Sequence, residues 1–349
     1  MQRPRRRRTL AVAIAAIAAV ALLASCGDDS EGGSDTSDAA GGGAAVPEKL
    51  VIGYQHIPNG DLIVKNQGWL EEALPDTEIE WKLFDSGGAV NEAIVAGSID
   101  IGLAGSSPVS RGLSNGLAYQ VPWIHDVIGK AEALVVREDV GSVADLEGAK
   151  IATPLASTAH YSLLAALERE GLSAGDVEII GAEPPDILAA WTRGDIDAAY
   201  LWNPNLASIV DEGGKILVTS EDLAEEGKTT YDLAVVRTEF AERYPDAVQA
   251  WIEQQDRAVQ LYRSDEAAAT AAIAEELGIT AEEAAAQAAD LIFLTAEEQA
   301  GADYLGGGLA ENLFAAAQFN EELGEIDEVQ PESAYVDAVL TEFAEGVGS

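Results

Sequence analysis

Two short strings each occur twice in this chain, about one hundred residues apart, and that spacing constrains the fold more than any single motif. Ala96-Gly97-Ser98-Ile99-Asp100-Ile101-Gly102 returns as Arg193-Gly194-Asp195-Ile196-Asp197-Ala198-Ala199, an offset of 97 residues. Both copies follow an Ala-rich helical run, and Gly-x-Ile-Asp reads as a glycine closing a helix before a strand begins. Glu132-Ala133-Leu134-Val135-Val136-Arg137 returns as Asp232-Leu233-Ala234-Val235-Val236-Arg237 at an offset of 100. Each copy opens with a carboxylate and continues as a buried-looking strand. Offsets so nearly equal predict two similar lobes rather than one sheet or an array of short repeats. From Lys49-Leu50-Val51-Ile52-Gly53-Tyr54 to about residue 240, strand-like and helix-like runs alternate, the pattern of an α/β architecture. Beyond it, segments 239–263, 265–277, 280–294, 296–304 and 309–322 are rich in Ala, Glu, Leu and Gln. They are expected to be amphipathic helices that cover a lobe.

The first residues are of another kind. Arg3 and Arg5 to Arg8 form a cationic region, Leu10 to Leu23 an apolar one too short to span a bilayer as a mature helix, and small residues precede Cys26. Residues 1–25 therefore read as an export signal, by the general secretory or the twin-arginine route. The string Leu23-Ala24-Ser25-Cys26 resembles the lipobox of bacterial lipoproteins, which implies cleavage before Cys26 and a diacylglyceryl thioether on its sulfur. The alternative is an ordinary secreted protein with an incidental Cys. Residues 26–47, dominated by Gly, Ser, Asp and Ala, cannot bury apolar surface and are expected to be a lipid-anchored flexible linker.

Charge excludes several functions. With 20 Lys plus Arg against 61 Asp plus Glu, the formal charge is −41, and loss of residues 1–25 removes five Arg and no acid, giving −46. Such a surface has no sequence-independent hold on nucleic acid, which needs clustered cations. It favours solubility where salt screens self-repulsion, and so points to a saline habitat. One Cys forms no internal disulfide, and His56, His125 and His160 are too scattered for a zinc site, so no metal or other cofactor is expected.

Several strings then occur in order: Phe84-Asp85-Ser86-Gly87, Gly105-Ser106-Ser107-Pro108, Glu132-Ala133-Leu134-Val135-Val136, Ser157-Thr158-Ala159-His160-Tyr161, Ala189-Ala190-Trp191-x-Arg193-Gly194-Asp195, and Tyr200-Leu201-Trp202-Asn203-Pro204. Together they resemble the periplasmic taurine-binding proteins of ABC importers, within the wider nitrate, sulfonate and taurine receptor group. The resemblance covers about residues 48–345 and is most specific between 84 and 240. It implies a type II periplasmic-binding fold, two α/β lobes joined by two crossover strands with a small-molecule ligand in the cleft. It also implies an extracytoplasmic monomer that works with an ABC permease and its ATPase. The echoed strands at 132–137 and 232–237 are the expected crossovers. Residues 48–135 with 236–349 are then lobe 1, carrying the helical C-terminal segment, and 136–235 are lobe 2.

A taurine zwitterion sets the chemistry of the candidate residues. A sulfonate needs donors, best supplied by helix-start amides and hydroxyls. Ser157, Thr158, Ala159 and His160 precede or open one helical run, and Ser106 and Ser107 open another with Pro108 suited to its first turn. These hydroxyls can equally be simple caps, and His160 reads more readily as a packed or capping residue than as a ligand contact. The ammonium needs acids, and Glu132 and Asp232 occupy matching positions of the crossovers; satisfied strand-end acids are the alternative. Trp202 can wall the ethylene group, lie under the cation or pack in the core. Tyr54 and Gln55 follow the first strand, where α/β sheets place ligands, as candidate donors. Gly87 completes the set.

Three functions stay open at this stage: a lipid-anchored taurine receptor, a receptor for another sulfonate or nitrate, and an enzyme on the same fold, such as the pyrimidine-forming relatives of the group. Two carboxylates in the cleft disfavour a purely anionic ligand, and the folded body offers no Cys nucleophile, triad or metal cluster.

Overall fold

The computed structural model describes residues 46–348. The expected export signal, Cys26 and all of the linker except Val46 and Pro47 lie outside them. The strands are β1 (Lys49–Tyr54), β2 (Glu78–Leu83), β3 (Ile101–Gly105), β4 (Tyr119–Ile128), β5 (Glu132–Val136), β6 (Lys150–Thr153), β7 (Glu178–Gly181), β8 (Ala198–Trp202), β9 (Lys215–Thr219), β10 (Thr230–Arg237) and β11 (Leu291–Ile292). They form two sheets, ordered β11-β4-β10-β3-β1-β2 and β7-β6-β8-β5-β9.

The sheets share one plan. In the first, β2, β1 and β3 run parallel and β10 lies antiparallel between β3 and β4. In the second, β7, β6 and β8 run parallel and β5 lies antiparallel between β8 and β9. Each inserted strand is the first that the chain forms on entering that lobe, so the two crossovers expected from the echoed strings are present. Both faces of β5 are covered: Leu134 and Val136 belong to one apolar cluster of the second lobe, Ala133 and Val135 to the other. That burial explains a continuous apolar run in place of alternation.

The echoes meet in space. Gly97 and Gly194 close their helices with φ of 65° and 77°, a conformation that favours glycine. Asp100 then accepts from the amide of Val51, and Asp197 from that of Lys150. The amide of Arg237 donates to the carbonyl of Asp100 at 3.0 Å, and that of Arg137 to the carbonyl of Asp197 at 3.2 Å. Each Val-Val-Arg strand therefore docks on the Gly-x-Ile-Asp strand of the lobe it enters.

Three expectations shift. Each crossover strand pairs along its whole length in the sheet it enters, so the chain changes lobes at 129–131 and 225–229, N-terminal to the expected 135/136 and 235/236. The segment 280–294 is not one helix: Ala281–Ala288 is helical, and β11 follows as an added edge of the first sheet. The C-terminal helices pack on lobe 1 as expected, but helix Gly308–Glu322 also sends Ala316 and Phe319 into a core cluster of lobe 2, where the Phe319 and Tyr161 rings lie 5.0 Å apart. Among the described residues, no helix is long and apolar enough to cross a membrane.

Candidate ligand-binding site

In both sheets the carboxyl ends of the parallel strands face one cleft, the usual place for a ligand in an open α/β sheet. Gln55 follows β1, Gly105 ends β3, and Trp202 ends β8. The inserted strands run the other way, so their N-terminal residues reach the same edge. Glu132 opens β5 opposite Trp202, and Asp232 lies near the start of β10 opposite Gly105. These residues, with Gly87, Ser157 and Thr158, line one cavity of about 430 Å³ including its mouth.

The acids dominate its electrostatics. Glu132 is fully buried and accepts hydrogen bonds from Thr158 Oγ1 at 2.5 Å, Ser220 Oγ at 2.7 Å and Ser162 Oγ at 3.3 Å. Burial pushes its carboxyl up to about 7 against the pull of those three donors. Asp232 is raised well above the usual carboxylate range, first by burial and then by the charges of Asp126 and Glu132. Among the described residues, no Lys or Arg lines the cavity. Gln55 donates its Nε2 to the carbonyl of Leu103 at 3.0 Å, leaving Oε1 buried and unpartnered. It therefore offers an acceptor, not the donor expected from sequence.

Helix starts supply the donors. Helix Thr158–Arg169 begins at the cleft, and its Ser157 cap accepts from the amide of His160 at 3.1 Å, which leaves the first-turn amides of Thr158 and Ala159 without an intrahelical acceptor. Helices Gly87–Val95 and Ser106–Ser114 also start there. The hydroxyl of Thr158 is given to Glu132 and that of Ser157 to Pro154, so the amides, not these hydroxyls, are the free donors. The lobes are in contact across the cleft: a Cβ on Gly105 would stand 2.5 Å from Thr158 Cγ2, and Ser86 Oγ lies 3.4 Å from Glu183 Oε1.

Five expected residues do not line the cavity. Tyr54 points to the opposite face of its strand from Gln55, against Trp81 and His56. Ser106 uses its hydroxyl to accept the amide of Tyr231, pinning β10, and Ser107 is buried behind the helix start. The Ala159 methyl packs in the lobe 2 core. His160 turns away toward Glu325, its Nδ1 3.8 Å from the carboxylate. Trp202, by contrast, lines both this cavity and the neighbouring one formed with Phe84 and Pro184. Sequence reasoning missed Asn203, Leu291 and, behind the cavity, Asp126. An Asp inside the apolar run Trp123-Ile124-His125-Asp126-Val127-Ile128 was the available signal, because a buried carboxyl is costly without a purpose.

The sequence profile of the NMT1-like family matches residues 43–277. The chain belongs to the NMT1-like family. This NMT1-like chain is 42% identical over 184 residues to the taurine-binding periplasmic protein of Escherichia coli strain K12, a match covering 53% of this chain and 57% of that protein, so less than two thirds of that relative is spanned. It is 33% identical over 255 residues to an aliphatic sulfonates-binding protein of Bacillus subtilis strain 168, covering 70% of this chain and 73% of the relative. Its fold superposes on the alkanesulfonate-binding protein of Xanthomonas axonopodis pv. citri bound to MOPS with a TM-score of 0.72 and 25% identity, over 85% of this chain and 99% of that one. The two-lobed NMT1-like body therefore has the type II periplasmic-binding fold.

Proposed function

We propose that this protein is an extracytoplasmic solute-binding lipoprotein that captures taurine and delivers it to an ABC permease and its ATPase. The observation that carries this reading is a cavity holding two buried carboxyl groups, Glu132 and Asp232, and, among the described residues, no Lys or Arg, beside three helix starts. The first-turn amides donate hydrogen bonds to the three sulfonate oxygens. Glu132, Asp232 and Gln55 Oε1 receive the ammonium, and Trp202 walls the ethylene between them. The similarity to a taurine-binding protein supports the same ligand. A sulfonate without the amine is the second reading, supported by the aliphatic sulfonates-binding relative. A thermal-shift series with taurine, ethanesulfonate and nitrate separates them, since a ligand that binds only the folded state raises the melting temperature. Stabilisation by taurine above the others is expected; stabilisation by nitrate or ethanesulfonate alone overturns the taurine reading. The lipid anchor on Cys26 is tested by Cys26→Ser, which should leave the membrane fraction; retention there contradicts it.

A further inference from the structure

Asp126 sits in β4 directly across from Asp232 of β10 and is completely buried. The register puts their carboxyl groups on the same face of adjacent strands in a buried place, and two acids held so close there cannot both ionise: burial raises both, and the pair holds one proton in common. Asn59 Nδ2 donates to Asp126 Oδ2 at 3.2 Å, and Oδ1 receives no N–H or hydroxyl among the described residues. The groups packed around the pair are all neutral or acidic. Glu132 of β5 adds charge from the second lobe. On the other side Asp61, bonded by Gln255 at 2.7 Å, faces Asp126 and stands 3.8 Å from His125, which burial keeps neutral. Among the described residues, the ion pairs of Lys and Arg lie elsewhere. The pair therefore has a proton but no cation to replace it until a ligand brings one. Glu132, with three hydroxyl donors, is better supplied to remain an anion.

We propose that Asp126 is a positioning residue for the ligand's cation, holding one proton in common with Asp232 and surrendering it when an ammonium group enters, so that capture of the ligand releases a proton. This rests on the reading that Glu132 and Asp232 receive the ammonium. On binding, the O–H bond of the pair breaks, the proton passes to a buffer base, and the pair goes from one negative charge to two as the ligand's positive charge arrives. The arrangement selects cationic ligands, because a ligand without an ammonium leaves the proton in place.

Calorimetric titration with taurine at pH 7 in phosphate and in Tris, whose ionisation enthalpies differ, counts the protons released. The wild type should release close to one, and ethanesulfonate none. Asp126→Asn should release none and lose the pH dependence of affinity between pH 6 and 8, because its amide donates permanently to Asp232. Glu132→Gln should bind more weakly yet still release a proton. A wild-type enthalpy independent of buffer, or release that persists in Asp126→Asn or vanishes in Glu132→Gln, overturns the proposal. Infrared spectra of the unliganded protein at pH 7 test the shared proton without any ligand: a carboxylic-acid C=O band should diminish in Asp126→Asn, and an unchanged band contradicts it. Taurine that fails to bind while that band is present and lost in the variant counts against the ligand reading and not against the shared proton.

Discussion

The hydroxyl of Thr158, at the start of a lobe 2 helix, donates to Glu132 Oε2 at 2.5 Å. The residue that opens the expected sulfonate site thus serves the carboxylate expected to hold the ammonium. Thr158→Val removes one donor from a buried acid while keeping the shape. A hydrogen bond to a charged group contributes roughly 1.5–3 kcal/mol, so taurine affinity should fall at least about tenfold. Ethanesulfonate should lose less, and Thr158→Ser should restore taurine binding. Calorimetry with both ligands checks this; equal losses would place the hydroxyl on the sulfonate instead.

Gly105 gives a second expectation. A Cβ there would meet Thr158 Cγ2 at 2.5 Å across the cleft, and that methyl is fixed close to its helix backbone. Gly105→Ala should therefore hinder closure and weaken taurine and ethanesulfonate alike, with the circular dichroism spectrum unchanged. Undiminished affinity would show that the lobes need not approach this closely.

The sequence carried the two-lobed plan because the echoed strings are themselves contacts: Arg237 docks on Asp100 as Arg137 docks on Asp197. Glu132 and Asp232 were legible for the same reason, since one opens and the other lies near the start of an inserted strand whose first residues must meet the cleft. Tyr54 was misjudged because adjacent strand residues point to opposite faces, and nothing local says which face meets the cleft. Asp126 became meaningful only through its register with Asp232, a pairing between residues far apart in the chain. Leu291 went unnoticed inside an apparent helix because Ala-rich sequence supports a helix by propensity while tertiary pairing with β4 decides for a strand.

Stability should vary with pH in a stated direction. Burial raises the carboxyls of Asp61, Asp126, Glu132 and Asp232, so the folded state keeps protons that the unfolded chain gives up near pH 4. That contribution is present at low pH and is lost as pH rises through about 7. His56, His125 and His160 are lowered by burial, so below about pH 6.5 they act the other way, the unfolded chain taking protons first. Melting temperature of the unliganded protein should fall from pH 6 to pH 8. A steady rise from pH 6 to 8 would contradict the raised acids.

Salt should stabilise. A formal charge of −46 after loss of residues 1–25 repels itself, and screening shortens to about 3 Å at 1 M. Melting temperature should climb from dilute buffer to molar KCl, and a flat response would remove the inference of a saline habitat.

The assignment of the cavity to an aminosulfonate is tested most directly by calorimetric titration of the wild type, Glu132→Gln and Asp232→Asn with taurine and ethanesulfonate. Each amide should weaken taurine by about 1.5–3 kcal/mol, roughly ten- to hundredfold. Ethanesulfonate, with no amine to hold, should bind the variants at least as well as the wild type. Equal losses for the two ligands would mean that the acids hold the lobes together and do not read the cation, contradicting the account.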